Sequence, residues 1–138
     1  MASLIYDNAL DNARRGAIDY DSDTFKVMLT TTGYTENKKT HEFRSDVTNE
    51  VTGTGYTAGG ATVTVTVTLD TVNDRVDITL GAASWPSSTI TARKAVYYKS
   101  RGGAASADEL IAVIDFGSDV ISTGGTFSLT ASTKRIQN

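Results

Sequence analysis

The pattern of apolar and polar positions along this chain changes period once, near residue 25. Before that point Leu4, Ile5, Ala9 and Ala13 fall near one face of a helix, with Ser3 placed as an N-cap and Gly16 where a helix would stop. Asp7 and Asp11 precede Arg14 and Arg15, the order that complements a helix dipole. The spacing therefore predicts an N-terminal helical arm over residues 1–16. From Phe25 the period is two: Phe25, Val27 and Leu29 face one way, while Lys26, Met28 and Thr30 face the other. Gly33 ends this strand. The polar run 35–40 reads as a loop, 41–46 as a short helical turn and 47–51 as a brief strand.

The clearest alternation follows. Val63, Val65, Val67 and Leu69 interleave with Thr62, Thr64, Thr66 and Thr68, and after the turn residues 70–75 the pattern resumes at Val76, Ile78 and Leu80. This predicts a hairpin whose valine face lies on the core and whose threonine face looks outward, in a register fixed by the cost of slipping every valine into water. Further strands are expected over 89–100 and over 110–116, the latter bounded by Gly117. Gly124-Gly125 reads as a turn before Phe127 and Leu129, and Ile136 as a residue that docks the tail. Neighbours in a strand point to opposite faces, so one of Tyr97 and Tyr98 is expected in the core and the other exposed. About seven or eight strands with one short helix give the all-β class: a sandwich, a jelly roll or a small barrel.

Composition narrows the function more than the fold. A chain of 138 residues fits one domain, and the absence of cysteine removes disulfides, thiolate chemistry and Cys-ligated zinc. The net charge of -3 is spread over scattered acids and bases, leaving no basic stripe for phosphates, so no direct nucleic-acid contact is expected. The first residues lack a basic region followed by an apolar one, and no stretch has the roughly 20 apolar residues of a membrane span. A soluble product with no membrane contact is expected.

The residues that could carry common chemistries lack the partners those chemistries need. His41 is the sole histidine, which excludes a serine triad or a two-histidine metal site, and no Gly-x-Ser-x-Gly elbow is present. Asp19-Tyr20-Asp21-Ser22-Asp23 opens like a calcium loop, but the sixth position is Thr24 and the twelfth Thr30, where glycine and a bidentate glutamate are needed. It reads as a solvated acidic turn. The glycine-rich run 53–60 lacks the Gly-Lys-Thr/Ser ending of a phosphate loop and leads into a strand, so it reads as a flexible connection. No catalytic residue, metal ligand or cofactor site is assigned.

Trp85, beside Pro86, remains as a core residue or a platform for a ligand or partner, and with an exposed tyrosine it would suit a carbohydrate-binding module. A second candidate is the segment with Leu4, Ile5 and Tyr6, whose apolar side chains are hard to bury locally in a terminal arm. These four, Leu4, Ile5, Tyr6 and Trp85, form the predicted partner interface, with truncation of residues 2–6 expected to spare the fold.

Several strings taken together resemble a known family: Ala2-Ser3-Leu4-Ile5-Tyr6-Asp7, the run from Glu50 through Gly53-Thr54-Gly55-Tyr56-Thr57-Ala58-Gly59-Gly60, Ser84-Trp85-Pro86-Ser87, Thr91-Ala92-Arg93, Ala95-Val96-Tyr97-Tyr98 and Arg135-Ile136-Gln137-Asn138. They are similar to small virion proteins of tailed bacteriophages, in particular the cement or decoration proteins of the capsid exterior. The resemblance implies a single jelly-roll-like β-sandwich of about eight strands. It also implies a homo-oligomer that binds the major capsid protein, made in the host bacterial cytoplasm and carried on the virion. A head-tail adaptor, head-fibre or tail component is the alternative within the same class.

Overall fold

The computed structural model describes residues 3–137; Met1 and Ala2 of the expected arm, and Asn138 of the tail, lie outside the described residues. The chain is mostly β, in two antiparallel sheets with one short α-helix among the described residues. The strands are β1 (Leu4–Ile5), β2 (Phe25–Thr30), β3 (Ala61–Val63), β4 (Val65–Asp70), β5 (Arg75–Leu80), β6 (Ala83–Lys99), β7 (Leu110–Leu129) and β8 (Ser132–Gln137), and the helix α1 is Asp7–Arg14. One sheet runs β1-β7-β6-β2-β3 and the other β4-β5-β8. Both feed a single buried cluster, in which Val27, Leu29, Tyr97, Ile111 and Val113 from the first sheet meet Val65, Ile78 and Leu80 from the second.

The N-terminal arm departs from the predicted helix. Leu4 and Ile5 pair with Val113 and Ala112 of β7, the Ser3 hydroxyl accepts from the Asp115 amide at 3.1 Å, and the Tyr6 amide donates to the Ile111 carbonyl at 3.0 Å. The helix begins only after Tyr6, and Ser3 caps nothing. The exposed edge of β7 offers this segment backbone partners and apolar contacts at once, which outweighs a first helical turn. Gly16 does end the helical region, with φ at 83° in the left-handed range that glycine tolerates.

The valine–threonine run splits at Thr64, where the chain passes from one sheet to the other and the Gly81 amide donates to the Thr64 carbonyl at 2.8 Å. The predicted hairpin forms, with Val65 opposite Leu80, Val67 opposite Ile78 and Leu69 opposite Val76. Its valine face is buried only at the near end: Val63 and Val65 are covered, whereas Val67 is 41% and Leu69 70% exposed. Periodicity fixed which face is apolar, while the reach of the protein body beneath that face decided how much of it is buried.

The strands β6 and β7 make one long hairpin from Tyr98↔Leu110 to Ala83↔Leu129, interrupted by bulges. Gly117 and Gly124-Gly125 lie inside β7, so neither ends a strand or makes the predicted turn. Between Ala92↔Val120 and Lys94↔Asp115 the β7 side carries extra residues, and Arg93 spans them with contacts to Asp115 at 3.3 Å and Asp119 at 3.8 Å. Burial raises the Asp115 carboxyl, but the Gly117 amide and the Arg93 and Lys94 cations outweigh it, leaving it below its ordinary range. Residues 41–46 give only a short 3₁₀ turn at Arg44–Asp46, and the brief strand expected over 47–51 reduces to a Thr30↔Glu50 bridge.

Candidate interaction surface

Past Val65 the three-stranded sheet runs beyond the body that covers it. On its apolar face Leu69, Val76 and Ile136 form one cross-strand row, and Val67 and Ile78 the row before it, shared with Lys134. Opposite them stand Leu10, Ala13 and Arg14 of α1 and the half-buried Tyr20. The space between is an open groove with apolar walls, continuing past Ile136 to Leu4 and Ile5 of β1. Val72 at the tip of the β4–β5 turn is 89% exposed. The reverse face of the sheet is polar, with Arg75 held by Asp70 at 3.2 Å and Asp77 at 3.4 Å.

The rim of the groove is unevenly charged. Where it meets β1, Lys38 and Lys134 line it together with Asp7, while Arg135, next along β8, turns toward Asp77 on the reverse face. Lys38 reaches Asp7 only at 4.0 Å and Arg135 reaches Asp77 only at 4.0 Å, and Lys134 has no ion pair among the described residues. Exposed pairs at such distances are worth little, so this end presents mainly positive charge to solvent.

Of the four residues predicted for the interface, two line this groove and two do not. Leu4 and Ile5 are half-buried at its end. Tyr6 is wholly buried, its hydroxyl hydrogen-bonded to that of Tyr34 at 2.7 Å, and Tyr34 in turn to His41 Nδ1 at 2.9 Å. Burial and the Tyr34 contact push the Tyr6 phenol well above its ordinary value. Trp85 is 5% exposed, packed edge-on against Phe127 and tilted against Tyr56. Both are therefore corrected to core residues, with no ring face offered to a sugar or a partner.

Tyr97 and Tyr98 are both buried, contrary to expectation, because the sheet is covered on both faces there. Tyr97 donates to the Gly81 carbonyl at 2.9 Å, and Tyr98 to the Gly59 carbonyl at 2.5 Å with the Arg44 guanidinium 5.2 Å over its ring. The cover over Tyr98 is the glycine-rich run 53–60, which is pinned rather than flexible. Tyr56 donates to Glu50 at 2.6 Å and accepts from the Leu29 amide at 3.0 Å, and the Gly59 amide donates to Glu50 at 2.7 Å. Gly60, with φ at 79°, passes so close to β2 that a Cβ would lie 1.8 Å from the Val27 carbonyl oxygen.

The acidic turn is satisfied internally: the Asp19 carboxylate accepts from the Asp21 amide and the Ser22 hydroxyl, and Asp23 accepts from the Asp19 amide and pairs with Lys99 at 2.8 Å. Among the described residues no three His, Asp or Glu side chains gather as metal ligands would. No helix among them is long and apolar enough to cross a membrane. The residues that the sequence reading placed on the core and the structure leaves exposed are Val67 and Leu69, whereas Ile136 packs partly buried against the core. A signal was present in Val72, an apolar residue in an otherwise polar turn, Asp70-Thr71-Val72-Asn73-Asp74. Comparison with family models, curated proteins and solved structures finds no match to this chain.

Proposed function

We propose that this chain is a non-enzymatic structural protein of a tailed-bacteriophage virion, a cement or decoration protein that binds the outside of the capsid and stabilises contacts between major capsid subunits. The observation that carries the reading is the uncovered groove. Apolar side chains at the distal end of a three-stranded sheet, with Leu69 70% and Val72 89% exposed, are costly to leave in water and favour contact with another protein. The joint similarity of the strings in the sequence supports the particular assembly. In this reading the two sheets are the layers of a sandwich. A jelly-roll wrapping is implied by the resemblance alone, since β4–β5 and β6–β7 are simple hairpins and the sheets hold five and three strands.

Such a protein needs no cofactor and works by binding the assembled shell more tightly than its separated parts, which shifts the balance toward the intact particle. The carbohydrate-binding alternative loses its platform with Trp85 in the core. Co-sedimentation with purified heads of the encoding phage, unexpanded and expanded, tests the proposal. The expected result is saturable retention of on the order of hundreds of copies per head. Retention of about a dozen or fewer would move the protein to an adaptor or tail position, and no retention by either form of the head would overturn the reading.

A further inference from the structure

The groove has a counterpart on the same chain. In the five-stranded sheet β7 is bordered on its outer side by β1, but β1 pairs only with Ala112 and Val113. Beyond that point no strand covers the outer edge of β7 among the described residues. Ser118 to Ile121 are exposed there, Ile121 at 66% and Val120 at 39%. Among them is Asp119, its carboxylate 45% exposed and met by Arg93 at 3.8 Å. An uncovered edge that presents apolar side chains and a carboxylate is a strand awaiting a partner.

The strand β8 is the complement. It is an outer strand of the three-stranded sheet, its Ile136 floors the groove, and Lys134 lies on the same face. We propose that the β7 edge around Asp119-Val120-Ile121 of one copy adds to the β8 edge of a second copy. Ile121, the more exposed of the two, then enters the groove beside Ile136, and Asp119 meets Lys134. Backbone hydrogen bonds between the two edges supply the attachment, and the opposite charges fix its register. Because the two surfaces are different patches of one chain, the contact is head-to-tail and propagates into a ring or a chain of copies. This inference goes beyond capsid binding and is tested without heads.

Sedimentation velocity of the purified full chain over a range of concentrations reads the association directly. Leu69→Asp spoils the groove and Ile121→Asp spoils the edge, both at exposed positions, with circular dichroism and thermal melting used to confirm that each variant is folded. The wild type is expected to associate, and each variant alone to do so at least about tenfold more weakly. An equimolar mixture of the two variants is expected to form dimers and nothing larger, since it contains one sound groove and one sound edge per pair. Asp119→Lys and Lys134→Glu should each weaken association, and the double variant should recover it. A wild type that stays monomeric at the highest concentration reached would overturn the proposal. So would variants that associate as the wild type does, or a mixture that fails to restore dimers. Head binding by a monomeric wild type would separate the two readings, keeping the cement role and freeing the groove for the capsid protein.

Discussion

Side chains of one type in one strand have different tasks here, and Val65 and Val67 make the clearest pair. They are two residues apart on the same face, yet Val65 is 3% and Val67 41% exposed. Val65→Asp would place a carboxylate in the core with no partner and is expected to cost several kcal/mol, of the order of the whole stability of a small domain. Val67→Asp is expected to cost less than about 1 kcal/mol. Urea denaturation of the two variants checks this, and equal losses would mean that the groove is closed in solution. Titration gives a second residue-scale outcome. Burial pushes the phenols of Tyr20, Tyr34, Tyr97 and Tyr98 up to about 12, against an ordinary value of 10.0. A raised folded value means that the neutral form is favoured by folding, so this stabilisation is complete below pH 10 and is lost as pH climbs toward 12. The ultraviolet absorbance of tyrosinate is therefore expected to rise together with the loss of near-ultraviolet circular dichroism, in one alkaline transition.

At the scale of elements, what each segment packs against outweighed its local pattern. The N-terminal segment shows this: its helical spacing was legible, but the free edge of β7 and the pocket that receives Tyr6 were invisible without the fold. Deleting residues 2–6 is accordingly expected to unfold or markedly destabilise the protein, because it removes β1 and leaves Tyr34 without its hydroxyl partner; a normal melting curve for the truncated chain would contradict the role given to Tyr6. The loop 53–60 makes the same point from the other side. Its glycines suggest freedom in the sequence, whereas Gly60 is required by a close approach of the loop to β2. Gly60→Ala is expected to lower the melting temperature sharply, through a 1.8 Å clash with the Val27 carbonyl and a strained positive φ together. The alternation in β2 and in the β4–β5 hairpin was legible because such strands write their period into their residues, and the strand read over 89–100 is the latter part of β6, whose start at Ala83 was not read. The continuation of β7 through Gly117 was not legible, because a bulge spends residues that obey no period.

For the whole molecule, the division into a five-stranded and a three-stranded sheet leaves the smaller sheet longer than its support. Apolar surface is left at the groove and at the β7 edge, both at sheet margins where a second protein can extend what the chain leaves unfinished. A cement protein would use such margins to tie neighbours together, and its effect would appear in the shell as well as in itself. The measurement that bears on this most directly is the temperature at which purified heads open, followed by light scattering or genome release, with and without saturating protein. The account predicts a higher opening temperature for decorated heads, falling back toward the bare value when Leu69→Asp protein is supplied at the same concentration. Heads that carry a full complement of the protein and open at the bare temperature would contradict it.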